Sequence, residues 1–395
     1  MFADRYLDKN KIEPLIAAPP SPSLQMSVVI PCYREPDILQ TLESLKECNL
    51  PDSDVEVIIL INQPEIAAEA IKNFNRKTKL EIDNWISENM KKGISFSAVD
   101  PIDLRKKWAG AGLARKKGMD EAVRRFNSLR KPGGIIVSLD ADTLVRKNYF
   151  TEIKKYFQNH PENPGATIAF NHQKEGLEER HLQGILLYEK YMDYYKNALK
   201  FCGYPYPMFT VGSAFAVTAN AYVKRGGMNR RQAGEDFYFL QNLAQIGTVG
   251  EITSTKVFPS ARLSNRVPFG TGPILKKWME GKEDLSKTYS FEAFTDLKDF
   301  FDVKDQLYLI EKQDYKLFLI KLPLSIGNFL IENDFREEIT DLNRNCSSLK
   351  SFQTRFFQKF NAFKILKFLN FCHPLFYPKE NLEKQIKKLN NTKQK

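Results

Sequence analysis

Over the first 150 positions, short apolar runs alternate with stretches of helical spacing. MSVVIPCY (26–33) is an apolar run closed by Pro31, the pattern of a buried strand ending at a turn. EPDILQTLESLKEC (35–48) follows with apolar residues at 38, 39, 42 and 45, a helical spacing. VEVIILIN (55–62) predicts a second buried strand, and 65–92 predicts a helix with Ile66, Ala70, Ile71 and Phe74 on one face. ISFSAV (94–99) reads as a third strand. AGLARKKGMDEAVRRF (111–126) reads as a helix striped by Leu113, Met119, Val123 and Phe126, and GIIVSLDAD (134–142) as a fourth strand. Strands that are almost wholly apolar and alternate with helices predict a parallel sheet covered on both faces. Such sheets bind ligands beyond the carboxyl ends of their strands. Two stretches lie at such ends: Pro31 to Glu35, and the pair Asp140 and Asp142.

The pattern changes after residue 150. A Tyr- and Lys-rich helical stretch covers 177–200, FTVGSAFAVT (209–218) reads as a strand, and GEDFYFLQNLAQIG (234–247) as a helix with an acidic first turn. Beyond roughly residue 280 the spacing is mostly helical. The richest apolar stretch, LFLIKLPLSIGNFLI (317–331), is interrupted by Lys321 and Pro323. It falls short of the roughly 20 apolar residues that a membrane-spanning helix needs. Residues 1–25 lack the basic start and apolar run of a secretory signal, and read as a surface lead-in ending in a Pro/Ser linker.

Composition narrows the function classes. The chain has 395 residues, 42% hydrophobic and 27% charged, which is globular and large enough for more than one domain. Its five cysteines are widely spaced with no CxxC, against a zinc site or a disulfide framework and in favour of a reducing, cytoplasmic setting. Of the net charge of +11, +8 lies in residues 351–395, which hold 10 Lys+Arg and 2 Asp+Glu. A nucleic-acid binder would carry that charge in the body of its fold, so nucleic acid is not expected as a partner. In the tail, Phe352, Phe356, Phe360 and Phe363 line up on one helical face. Core packing is the first reading. The second is a helix lying on an anionic membrane surface, which would make the protein peripheral on the inner face of the plasma membrane.

Asp140 and Asp142 at the end of an apolar strand form a hard-oxygen pair suited to Mg²⁺ or Mn²⁺, which take few protein carboxylates and complete their shell with water and phosphate. An ordinary turn that caps the next helix is the plain alternative. SVVIPCYREPDILQTLESL, GAGLARKKGMDEAV, IIVSLDADTLV and GEDFYFLQNLAQIG occur in that order, and together they resemble the inverting, family-two glycosyltransferases of non-processive, bacterial type. The resemblance covers about residues 26 to 250. It implies an α/β GT-A nucleotide-diphospho-sugar transferase fold, a Rossmann-like mixed sheet with helices on both faces, plus a mostly helical C-terminal extension. The expected organisation is a lead-in at 1–25, the GT-A domain at 26–275, and a helical region with the basic tail at 276–395.

By that resemblance Pro31, Tyr33 and Glu35 contact the base and ribose of a nucleotide-sugar. Arg115 sits near the nucleotide, Asp140 near the ribose, and Asp142 holds the metal that bridges the diphosphate. Read plainly, Tyr33 is a core aromatic and Arg115 a solvated helix residue. Glu235 and Asp236 open an apolar helix, where acids favour the macrodipole. Inversion needs one base on the acceptor hydroxyl and no nucleophile, and the resemblance points to Asp236, with Glu235 as the fallback. Gly212 and Ser213 are candidates for close approach of the donor sugar. Arg262 and Arg266, before a Gly-rich turn, are candidates to close over the diphosphate.

Some positions depart from the family pattern. The second strand ends in Asn62-Gln63 where the family carries a base-reading aspartate. Asn62 can still hydrogen-bond, and Asp100 and Asp103 are substitutes. The Gln-x-x-Arg-Trp motif of processive synthases is absent, which favours single addition in cell-surface glycan or glycolipid biosynthesis, with a glycan or lipid-linked acceptor. No third protein ligand for the metal is evident, and His172 reads as a surface or edge residue. The rival readings are a nucleotidyltransferase, which would want a Gly-rich basic signature where PCYREPD stands, and a catalytically inactive nucleotide-sugar-binding protein.

Overall fold

The computed structural model describes residues 1–209, 211–230, 234–264 and 270–392, apart from the side chain of Pro374. In chain order, α1 (Asp4–Asn10) precedes β1 (Leu24–Cys32), α2 (Ile38–Lys46), β2 (Asp54–Pro64), α3 (Glu69–Glu88), β3 (Ile94–Leu104), α4 (Ala111–Ser128) and β4 (Ile135–Ser138). Next come β5 (Leu144–Val145), α5 (Tyr149–Asn159), β6 (Gly165–Phe170), α6 (Glu179–Phe201), β7 (Phe215–Thr218), α7 (Ala219–Lys224), α8 (Glu235–Leu243), β8 (Val249–Phe258) and α9 (Thr271–Met279). The remainder is β9 (Lys287–Thr288), α10 (Phe291–Val303), α11 (Lys312–Ile320), α12 (Leu324–Glu332), α13 (Phe335–Arg344), α14 (Leu349–Lys359), α15 (Ala362–Leu375), β10 (Glu380–Asn381) and α16 (Leu382–Thr392).

The chain forms two compact units, one of Met1–Gly176 with Thr210–Pro273, the other of Leu177–Phe209 with Ile274–Lys395. The chain passes between them after Gly176, Phe209 and Pro273. The stretch 177–209, expected in the first domain, groups with the second unit.

The first unit is built on an eight-stranded sheet of order β3-β2-β1-β4-β7-β6-β8-β5. Its first four strands are parallel, as the apolar runs predict. Val28 lies between Val57 and Val137, and all three are fully buried, so the centre of this half is a row of valines. Such runs stay apolar because helices cover both faces, leaving no strand side for water. The other half makes the sheet mixed, as the family resemblance implies. β7 runs antiparallel to both β4 and β6, and β5 antiparallel to β8. The helix α4 lies on β1 and β2. Its approach needs Gly118, where a Cβ would come within 2.4 Å of Val29. One turn earlier on that helix sits Arg115.

The N-terminal lead-in is no loose surface strap. Ala3 and Tyr6 are buried, the Tyr6 hydroxyl donates to Asp120 on α4 (2.6 Å), and Arg124 and Arg125 donate to the carbonyls of Ile16 and Ala18.

The second unit is helical, with one two-stranded antiparallel ladder of β9 and β10. Phe352, Phe356 and Phe360 are fully buried; Phe356 and Phe360 meet Phe300, Phe301 and Phe335, with Phe300 and Phe360 ring centroids 5.1 Å apart, and Phe352 packs on Tyr308 and Phe356. The stripe is therefore core, and the tail does not present it to a membrane. Nor is it one helix. Phe360 leaves helical geometry (ψ 64°), and Asn361 caps a new helix by accepting from the backbone N–H groups of Phe363 and Lys364. Phe363 thus belongs to the next helix and is only half-buried. Residues 317–331 split into α11 and α12 across Lys321–Pro323, and among the described residues no helix is long and apolar enough to cross a membrane. No two of the five cysteines are joined in a disulfide, and all five are buried.

Phe360 touches five other phenylalanine rings, so Phe360→Ala should cost about 3–5 kcal/mol of stability, the range for removing a buried aromatic. Urea denaturation of the full chain measures it. A cost under about 1 kcal/mol would mean that the ring is not central to the core.

Candidate active site

The carboxyl ends of the parallel strands carry two arginine clusters, one around buried Arg115 and one around part-exposed Arg262. β4 ends at Ser138, the single polar residue of its apolar run, and the chain turns through Asp140 to Thr143, whose N–H donates to the Asp140 carbonyl (3.2 Å). Thr41 and Gln173 pin this turn by donating to the carbonyls of Ala141 (2.9 Å) and Asp142 (2.9 Å). The two aspartate side chains leave the turn toward different partners.

Asp140 accepts from Arg115 Nη2 (2.8 Å). Arg115 is 2% exposed and also donates through Nε to Glu235 (3.3 Å) and through Nη1 to the Gly212 carbonyl (3.0 Å) and the Ser138 hydroxyl. Burial opposes the guanidinium's charge, and Asp140 and Glu235 more than offset this. The plain reading of Arg115 as a solvated helix residue is therefore overturned. Gly212 has a visible reason to be glycine, since a Cβ there would lie 2.6 Å from Arg115 Nη2. The expected strand at 209–218 begins only at Phe215, because Gly212 and Ser213 form the turn that receives this arginine.

Asp142 accepts from Arg262 Nη2 (2.7 Å). The same guanidinium makes a two-pronged pair with the buried Glu35 and donates to Asp37 (3.1 Å). Arg262 thus ties the loop after β1 to the loop after β4. Arg266 lies outside the described residues.

Around the β2 end an amide network forms. Asn75 donates to the Asn62 carbonyl (3.2 Å) and to Gln63 (3.1 Å), and Gln63 donates to Asp103 (2.9 Å). Asn75 also accepts from the backbone N–H of Arg34 (3.2 Å), next to half-buried Tyr33 and buried Pro31. Asp103 is thereby engaged, and Asp100 is exposed beside Lys79. The Asn62 side-chain oxygen and the Ser213 hydroxyl are buried with no hydrogen-bond partner among the described residues. Buried acceptors are rarely left so, and both suit a ligand donor. His172 is buried rather than at the surface, its Nε2 3.1 Å from the Thr271 hydroxyl.

Asp236 differs from its neighbours. Glu235 is buried against Arg115, whereas Asp236 accepts from the Phe237 backbone N–H (2.8 Å) and pairs with no cation among the described residues. Burial raises the Asp236 pKa. Burial lifts Glu235 to about 7, against the pull of Arg115. Burial, with Asp140 and Glu35 nearby, lifts Asp142 to about 6.

For a divalent ion, the donor set is hard oxygen. Among the described residues no three His, Cys, Asp or Glu side chains form a ready cage. Glu35 and Asp142 nevertheless accept from one and the same arginine nitrogen, so a cation has a place between them. Mg²⁺ and Mn²⁺ in nucleotide sites are held by one or two carboxylates plus substrate phosphates, and the residues fit that pattern.

Ser138, Thr41, Gln173 and Asn75 were not singled out from the sequence. Only Ser138 carried a signal, as a polar residue inside an otherwise apolar strand.

Residues 27–218 match the family model of Glycosyl transferase family 2. Among solved structures, the chain is similar to S. aureus TarS 1-349 in complex with UDP-GlcNAc, at 11% identity over 85% of this chain and 92% of that one, with a TM-score of 0.40. It is also similar to the mannosyltransferase PcManGT from Pyrobaculum calidifontis in complex with GDP-Man and Mn²⁺, at 12% identity over 91% of this chain and 92% of that one, with a TM-score of 0.39. No curated protein sequence matches the chain.

The raised Glu235 pKa has a stability consequence. The folded state keeps this proton up to about pH 7, whereas the ordinary value is 4.5, so between them the folded state holds more protons. The stability contributed is complete below the ordinary value and is lost as pH rises through the folded one. Glu235→Gln should flatten the fall of Tm between about pH 5 and pH 8. Equal slopes in variant and parent would contradict the burial of this carboxylate.

Proposed function

From the premise that the chain belongs to glycosyl transferase family 2 through residues 27–218, with a GT-A fold, we propose that it moves a single sugar from a nucleotide-diphospho-sugar to an acceptor hydroxyl with inversion. The observation that carries this is the state of the site's carboxylates. Asp140 and Glu235 share Arg115, Glu35 and Asp142 share Arg262, and Asp236, though it lies in the field of Arg115, makes no ion pair among the described residues. A single unpaired carboxylate with a raised pKa is what one in-line displacement requires.

In this mechanism the acceptor oxygen bonds to the anomeric carbon from the face opposite the leaving group. Asp236 takes the hydroxyl proton, and the carbon–oxygen bond to the diphosphate breaks with its electron pair leaving on the diphosphate. Arg262 offers fixed positive charge to the phosphates, a stabilisation that needs no reorganisation as charge develops. Mg²⁺ or Mn²⁺, held by Asp142 with Asp140 or Glu35, would supply electrophilic neutralisation of the same group. Asn62 presents its free acceptor to a base N–H, with Pro31 and Tyr33 beside the nucleoside and Asp140 at the ribose. Gly212 and the unpartnered Ser213 hydroxyl face the donor sugar. The acceptor is a glycan or lipid-linked hydroxyl of cell-surface biosynthesis. Five cysteines without a disulfide among them support a reducing, cytoplasmic setting, with the protein peripheral on the inner face of the plasma membrane.

Asp236→Asn should lower transfer about 10²- to 10⁴-fold, the usual worth of base catalysis. Donor affinity, measured by calorimetry over a panel of UDP- and GDP-sugars with Mn²⁺, should stay within about twofold, because nothing in donor binding uses this carboxylate. A variant that keeps near-normal turnover refutes the assignment of the base.

A further inference from the structure

Tyr6, on α1, precedes the matched family region, which begins at residue 27. It is nonetheless buried, at 7% exposure, in a cluster of polar side chains. Its hydroxyl donates to Asp120 on α4 (2.6 Å) and accepts from Lys116 on the same helix (2.9 Å). Asp120 also accepts from the hydroxyl of Tyr222 on α7 (2.9 Å), and Asp120, Lys116 and Tyr222 are all buried. Further ties bind the lead-in to α4. The Ala3 N–H donates to Asn127 (3.0 Å), Asn127 donates to Asp4 (2.7 Å), and the Leu15 N–H donates to Glu121 (3.1 Å). This is the helix that carries Arg115.

The other side of Tyr6 meets the approach to α8. Gly227 follows α7 at φ 77°, in the left-handed region, and a Cβ there would collide with the Tyr6 hydroxyl. Two residues on, Asn229 donates to the carbonyl of Glu235 at the head of α8 (3.3 Å). Aromatic rings make a second route. Tyr6 meets Tyr222 edge-on with centroids 6.1 Å apart, and Tyr222 packs on Phe239 of α8 at 5.5 Å, within one turn of Asp236. Tyr222 and Phe239 are buried, and close-packed interiors transmit displacement from one side chain to the next. The third hold on α8 is the pair of Arg115 with Glu235. The start of α8 is thus fixed through α4, through the Gly227 turn and through Phe239. Tyr6 touches a partner in each route: Asp120, Gly227 and Tyr222.

We infer that Tyr6 is a positioning residue for Asp236, setting where α8 presents the carboxylate that takes the acceptor proton. The inference rests on the reading of Asp236 as the base. Tyr6 takes no proton itself and acts through Asp120, Tyr222 and the Gly227 turn. Its effect on rate follows from geometry, since a misplacement of about 1 Å at a reacting group can cost about 10²-fold.

The test compares the full-length parent with Tyr6→Phe, which removes the hydroxyl alone, and Tyr6→Ala, which removes the ring as well. Amide hydrogen exchange of residues 235–243 should quicken in Tyr6→Ala, while α5, which packs on β8, keeps its parental exchange. Hydrolysis of the tightest-binding UDP- or GDP-sugar with Mn²⁺, in which water stands in for the acceptor, should slow at least about tenfold. Affinity for that donor should stay within about twofold, and Tyr6→Phe should fall between Tyr6→Ala and the parent. Exchange that rises equally in α8 and α5 would overturn the inference, because Tyr6 would then serve stability alone. Parental exchange of α8 in both variants, a parental rate in Tyr6→Ala, or a loss of donor affinity as large as the loss of rate would overturn it too. If Tyr6→Ala does not fold, Tyr6→Phe decides: faster exchange of α8 with slower hydrolysis supports the inference, and parental values overturn it. Failure of the base reading shows separately, as parental hydrolysis by Asp236→Asn, whereas exchange of α8 is measured with no donor or acceptor present.

Discussion

The geometry at the head of the sheet depends on one buried guanidinium. Arg115 reaches from α4 to the end of β4, to the turn before β7 and to the first residue of α8, and at each it finds an acceptor. A charge buried this deeply persists only when its donors are met, and removing a partner from such a network typically costs about 3–5 kcal/mol. Two glycines make it sterically feasible. Gly118 lets α4 settle on β1, and Gly212 leaves the volume that the guanidinium fills. Because Arg115 engages both Asp140 and Glu235, it also decides which carboxylate of the α8 pair stays unpaired.

Arg262 does comparable work at the outer edge. It joins Glu35 and Asp37 after β1 to Asp142 after β4, two loops far apart in sequence. The site therefore has an inner, fully buried cation that fixes geometry, and an outer, part-exposed one. This division gives Asp140 and Asp142 separate tasks, although they are separated by one residue.

Much of this was legible in the sequence. The apolar runs gave the parallel half of the sheet, and the paired acids at a strand end and a helix start pointed to the candidate site, because burial on both faces and ligand placement at strand ends leave direct traces in composition. Pairings between distant loops leave none, and Arg262 with Glu35 is such a case. The antiparallel insertion of β7 was hidden as well, since a run as short as Phe215–Thr218 reads alike in either direction. The phenylalanine stripe shows how periodicity misleads when a break goes unseen. Residues 352, 356 and 360 share a face, but Asn361 starts a new helix before 363. Burial of that stripe and exposure of Leu317, Ile320 and Leu324 are both set by tertiary packing, and neither follows from hydropathy along the chain.

The most direct test of the role given to Arg115 is the single-turnover transfer rate of Arg115→Lys, measured beside its Tm. Lysine keeps the charge but lacks the planar fork, and so cannot hold Asp140, Glu235 and the Gly212 carbonyl together. The folded variant should show transfer slowed by at least about 10²-fold, as expected when reacting groups lose their alignment. Parental turnover in Arg115→Lys would contradict the account, because the site would then not depend on the guanidinium at its centre.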